Sequence, residues 1–302
     1  MLLQAILNGI VTGLLYSLVA LGFGLIYASV KVFDIACGAL YVASAYCLLL
    51  WTAVVGKLFA VGGRCSLLLS SILAVATILL ASTLIFKGVY RPLLERRATR
   101  VTLFVSSLGL YIVIVNAISL AYGSQPRLLN TGSDPAIEIA TMLVTRTQFV
   151  QVIASITLIL LTFLLLKGTS LGRNIRALSD HPVLLSIQGV SPTRVGIVVY
   201  GGASVLISCS SILKAIDIGF DPHIGLPAFL AGAVAAIVAG TGAYRGTVIW
   251  GVFLGVMQSA AIYLLSARWQ DAVSLGVLMV VLLVRREGHL AHSFAPGIPV
   301  DE

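Results

Sequence analysis

KGTSLGRNIRALSDHPVLLSIQGVSPTR, residues 167 to 194, decides how the rest of the chain is read. It is polar and basic, and it lies between two apolar runs, 149–166 and 195–213, each close to the ~20 residues that a helix needs to cross a bilayer. It is therefore a loop at a membrane surface. Lys167, Arg173, Arg176 and Arg194 face one acid, Asp180, which by the positive-inside rule puts the loop in the cytoplasm. The spacing of Ile175, Leu178, Leu184, Leu185 and Ile187 predicts short helices with one apolar face, punctuated by Pro182, Gly189 and Pro192. A loop that had only to reverse direction could be far shorter. One built of amphipathic turns offers a docking surface to a soluble partner.

Outward from this loop the chain is apolar almost everywhere. Of 302 residues, 59% are hydrophobic and 10% charged, with a mean hydropathy of +1.07, whereas soluble domains carry about a quarter charged residues. No dyad alternation of the outer-membrane-barrel type is present. The expected fold is all-α: a polytopic helical membrane protein with about eight or nine transmembrane helices, some short or broken. Spans are expected at 5–29, 34–55, 66–86, 101–122, 149–166, 195–213, 248–266 and 272–284, with a short or tilted helix at 227–240. Residues 1–288 form one transmembrane domain and 289–302 a short cytoplasmic tail. The basic stretches 87–100 and 285–286 read as cytoplasmic, and 123–146, with balanced charge and turn residues, as an external loop. This topology starts outside, ends inside and places thirteen Lys and Arg inside against six outside, Lys214 among the six. The first positive charge is Lys31, so the first run is expected to be a retained helix, not a cleaved signal.

The net charge of +8 is spread over loops, which points to anionic lipid headgroups and a cytoplasmic partner and away from nucleic acid. The four cysteines, 37, 47, 65 and 209, have neither metal-ligand nor disulfide spacing. There is no Walker motif, no HExxH and no GxSxG, so neither a metal nor a cofactor is expected and the chain is not read as an enzyme. Energy must then come from a partner or a gradient. A gradient-driven carrier needs ionisable groups deep in its spans, and Asp34 is the one candidate. It equally suits capping the second helix, beside Lys31. Asn8, Tyr16, Tyr41 and Ser44, polar groups inside apolar runs, either line a pathway or bond between helices. Gly240, Gly242 and Gly246 serve either close packing or a broken helix whose backbone lines a pathway.

Together, the segments 8–16, 33–41, 90–93 (YRPL), 171–177 (LGRNIRA) through Asp180 to Gly189, and 239–246 (AGTGAYRG) resemble the permease subunits of branched-chain amino-acid ABC importers, nearest the shorter of the two permeases. The motifs run in the family's order along nearly the whole chain. The resemblance implies a multi-pass permease in the bacterial inner membrane that works with two cytoplasmic ABC ATPases, a second permease in a heterodimer, and a periplasmic substrate-binding protein. It implies ATPase docking by Arg173, Arg176, Ala177, Asp180 and Gly189, with a small residue at Ala177 for close approach and Gly189 turning the chain. The chain departs from the family pattern at Asp34, Cys37, Ala39, Ala243, Tyr244, Arg245 and Trp250. Branched-chain or other small amino acids are the expected cargo, with urea, amides and small acids as alternatives and a gradient-driven carrier or channel as the more distant reading.

Overall fold

No charged residue interrupts Leu2–Val30, and it forms one 29-residue helix, α1, which at ~1.5 Å per residue exceeds the thickness of a hydrocarbon core. The rest of a computed structural model is arranged around it. The model describes residues 2–59, 63–96, 98–129, 136–139, 142–180, 182–240, 242–264 and 269–284. The helices after α1 are α2 (Ala36–Phe59), α3 (Gly63–Ile85), α4 (Arg91–Glu95), α5 (Arg100–Tyr122), α6 (Arg146–Gly168), α7 (Ser170–Asp180), α8 (Pro182–Ile187), α9 (Pro192–Asp217), α10 (Gly225–Ala239), α11 (Tyr244–Leu264) and α12 (Gln270–Val284). Among the described residues seven helices are long and apolar enough to cross a membrane, and the shorter α10 and α12 complete an all-α polytopic bundle. The expected tail at 289–302, the terminal pair Arg285 and Arg286, and Arg97 and Arg268 lie outside the described residues.

Burial separates the helices into a centre and a rim. The most apolar window of α1 is 78% buried and that of α9 72%, against 17% for α5 and 28% for α6, whose leucines and isoleucines face outward. The tightest crossing is α1 on α11. A Cβ at Gly255 would overlap the backbone of Gly13, and one at Gly9 would lie 2.7 Å from Val256 Cα, so the two helices touch backbone to backbone. Gly251 joins this seam against Ser17, which accounts for part of the late glycine run by packing.

Three features differ from expectation. The basic stretch after α3 does not leave the helix. It continues as a π-turn, Phe86–Tyr90, and then α4, because Phe86 and Tyr90 are buried under α9, where Gly196 makes room for the Phe86 ring, while Lys87 and Arg91 stay exposed. The loop expected to be external carries a small antiparallel hairpin, β1 (Ala136–Ile139) with β2 (Met142–Thr145), pairing Ala136 with Thr145. Its end forms a capping box, in which Thr145 and Gln148 bond reciprocally to start α6. Finally, the second span begins at Ala36, and Asp34 lies in an extended connector before it.

That connector climbs back into the bundle. Ser210 Oγ donates to Leu15 O at 2.8 Å and Ser211 Oγ to Tyr41 O at 2.5 Å, fixing these positions at one level. Ser210 is eighteen residues beyond the start of α9, roughly 27 Å, whereas Tyr41 is only five beyond the start of α2, about 8 Å. Helix α2 therefore starts about 20 Å above the start of α9. The start of α10 is at the same depth, with Gly225 and Gly38 in backbone contact. Two helices thus begin inside the bundle, the broken-helix arrangement expected of pathways through membranes.

Candidate functional site

The basic end is assembled from segments far apart in sequence. Helix α7 is amphipathic: Gly172, Ile175 and Leu178 are buried against the bundle, while Arg173, Arg176 and Asp180 are exposed. Thr169 caps it, accepting from Gly172 N at 3.2 Å, and a Cβ at Gly172 would collide with Leu166 backbone, so α7 folds tightly over the end of α6. Ala177 turns partly inward, onto the core. In α8 Leu185 is buried but Ile187 is 75% exposed, so the apolar spacing read from sequence divides between core and surface. Gly189 ends α8 at φ +80°, a conformation that costs an L-residue about 1–2 kcal/mol. Leu171, 49% exposed, adds a second apolar contact to the outward face.

Beside α7 lies a cavity of about 470 Å³, lined by Lys167, Arg176 and Asp180 from the loop and by Gly242, Tyr244 and Arg245 from the late glycine motif. The two motifs singled out in the sequence are therefore neighbours. Gly240 and Gly242 have φ of +95° and +81° and make the irregular turn between α10 and α11; Gly246, in the first turn of α11, packs on Ala239. All three are placed at the basic end, against the loop, with the half-crossing α10 leading to them from the interior.

The remaining candidates sit deeper. Asp34 is fully buried and accepts from Tyr90 Oη at 2.6 Å and from Ala36 N at 2.9 Å, with Cys37 Sγ at 3.8 Å. The bond to Ala36 serves the start of α2, as an acid at a helix N-terminus should. Lys31 forms no ion pair with it among the described residues: it is exposed, at φ 55°, at the start of the connector. The Tyr200 ring is tilted by 50° against that of Tyr90, with centroids 5.5 Å apart, and lies in electrostatic range of Asp34, without a hydrogen bond of ordinary geometry. Ser107 on α5 closes the connector, taking Ile35 N at 3.2 Å. Nothing in the sequence pairs residue 34 with 90 and 200, because the pairing depends on the connector's ascent.

Among the polar groups, Ser44 donates to Leu40 O in its own helix at 2.6 Å, and Asn8 accepts from Gln148 at 3.5 Å. Tyr16 and Tyr41 are buried in the central bundle. Lys214 departs from its expected external position. It is in the last turn of α9, half-buried, with Nζ 5.5 Å from the Tyr16 ring centroid. Its apolar neighbours on both sides, Ile212, Leu213, Ala215 and Ile216, are the signal that the span continues through it.

Comparison with known proteins agrees with this architecture. Residues 5–282 match the family described as the branched-chain amino acid transport system / permease component. The high-affinity branched-chain amino acid transport system permease protein LivH of Salmonella typhimurium is 27% identical over 95% of both chains, that of Escherichia coli K12 is 26% identical over the same shares, and BraD of Pseudomonas aeruginosa is 25% identical, again over 95% of both. A solved structure, PsaBC from Streptococcus pneumoniae in complex with Fab, superposes with a TM-score of 0.53 at 11% identity, covering 95% of this chain and 94% of that one, a likeness of fold. With its long apolar helices and its match over almost the full span, the chain belongs to the branched-chain amino acid transport system permease family and is a multi-pass protein of the bacterial inner membrane.

Proposed function

We propose that this chain is one permease subunit of an ATP-driven importer that takes a branched-chain or other small amino acid from a periplasmic binding protein and releases it to the cytoplasm. Two ABC ATPases supply the energy, and a second permease completes a heterodimeric channel. The family match supports the transport role. The observation that carries the mechanism is the helix pair α7–α8, held outside the bundle with Arg173, Arg176, Asp180 and Ile187 exposed and its other face packed on α6. A soluble protein that grips α7 moves α6 with it, and through the shared cavity it also reaches the α10–α11 turn. Nucleotide-driven closure of the ATPases therefore has a lever on the helices that break inside the membrane.

The chain itself performs no covalent step. Its part is to hold two arrangements of the bundle whose balance the ATPases and the binding protein shift. The test is Gly189→Asp in the complex assembled in proteoliposomes. Uptake and ATPase co-purification are expected to fall by more than tenfold, with binding-protein affinity for the amino acid unchanged. Uptake at the wild-type rate would refute docking through this loop. A wild-type chain that moved amino acid at a steady rate in the absence of any ATPase would replace the importer with a channel or carrier.

A further inference from the structure

Around the cavity at the basic end, positive charge outnumbers negative three to one. The cations come from three elements, Lys167 at the end of α6, Arg176 on α7 and Arg245 in the first turn of α11, and the acid is Asp180 at the end of α7. Among the described residues none of these four takes part in an ion pair. Tyr244 lies among them, partly buried and within electrostatic range of both Arg176 and Asp180.

An apolar stripe leads away from the cations on each flanking helix. On α6, Leu160, Phe163 and Lys167 share one face at helical spacing, and on α11 Arg245, Ile249 and Phe253 do the same. Phe163 and Leu166 line the cavity itself, while Leu160, Ile249 and Phe253, farther along, are exposed. Each stripe is thus cationic at the basic end and apolar for ~10–12 Å beyond it. A free anion would use only the cationic part. A phospholipid uses both, its phosphodiester taking charge-assisted bonds from Lys167, Arg176 and Arg245 while its acyl chains lie along the two stripes. The excess of positive charge selects an anionic headgroup. Hydroxyls on that headgroup find acceptors in Asp180 and in the carbonyls that end α7. We propose that the cavity between α6, α7 and the start of α11 is a binding site for one anionic, hydroxyl-bearing phospholipid of the phosphatidylglycerol class. Bound there, the headgroup ties α7 to the α10–α11 turn. The site requires only a bilayer, so its failure would leave the importer reading intact.

The experiment follows thermal unfolding of the purified full-length chain in detergent as phosphatidylglycerol, phosphatidylethanolamine or inorganic phosphate is added. Phosphatidylglycerol is expected to raise the apparent melting temperature by several degrees more than phosphatidylethanolamine, and the double variant Lys167→Gln with Arg245→Gln is expected to lose that difference. Equal shifts from the two lipids, or an undiminished difference in the variant, overturn the assignment. Inorganic phosphate that reproduces the full shift overturns it as well, in favour of a free-anion site. Should the double variant fail to fold, the wild-type chain is photolabelled with a phosphatidylglycerol carrying a diazirine on one acyl chain, and the adducts are mapped by mass spectrometry. Adducts are expected within residues 160–167 and 245–253, suppressed by unlabelled phosphatidylglycerol but not by phosphatidylethanolamine. Labelling without enrichment in those segments, or equally suppressed by both lipids, contradicts the proposal.

Discussion

A carboxylate with no exposed surface, Asp34, takes its side-chain bond from a phenol on another helix, at 2.6 Å. Removing that donor leaves a buried acceptor short of a partner, at a cost of about 1–3 kcal/mol. Tyr90→Phe is therefore expected to lower the apparent melting temperature of the purified chain, and Asp34→Asn introduced on top of it should recover part of the loss. Thermal unfolding followed by fluorescence checks both, and a Tyr90→Phe protein that melts with wild type would show that the bond contributes nothing. At this scale the sequence is partly legible. The capping role of Asp34 can be read from its place before an apolar run, and the structure shows its side chain on Ala36 N. Its tyrosine partner cannot, because residues 34 and 90 meet only after the connector has climbed into the bundle. Lys214 is misplaced by its sequence context for a related reason: one charge within an apolar run reads as the end of that run.

Helices are held by how closely they approach, and α1 against α11 is the closest. A branched side chain at Gly255 has Gly13 backbone in its way, and overpacking of this kind costs about 1–3 kcal/mol even where neighbours can shift. Gly255→Val should reduce the yield of folded protein in detergent several-fold, read as the monodisperse fraction on size exclusion. Gly109→Val, on exposed α5 with open space around it, should leave the yield unchanged and so controls for insertion. The existence of each long helix is readable from run length, and the shortness of α10 likewise. The π-turn and α4 are not, since the charges of 87–100 mask the two buried aromatics, Phe86 and Tyr90, that keep the helix going. Nor is the depth at which α2 and α10 begin, a property set by packing between distant helices and absent from any hydropathy window.

The molecule as a whole divides into a buried centre, α1 and α9, and a rim, α3, α5 and α6, whose leucines and isoleucines point out of the bundle. The basic end gathers α7, α8 and the α10–α11 turn around one cavity, and the contact of Lys214 with the Tyr16 ring lies toward the opposite end. Import follows if force applied at the first reaches the second, and α6, α9 and α11 each run from one end to the other. Replacing Arg176 by Glu should then weaken coupling more than assembly: ATP hydrolysis stimulated by the loaded binding protein is expected to drop several-fold with the complex still isolated intact. The most direct test places a cysteine at the exposed Ile187 and a short bifunctional thiol reagent in the native membrane. The account predicts that the chain is captured on a nucleotide-hydrolysing protein and that ATP changes the yield. Capture of lipid-embedded neighbours alone, with no ATPase in any adduct, would contradict it.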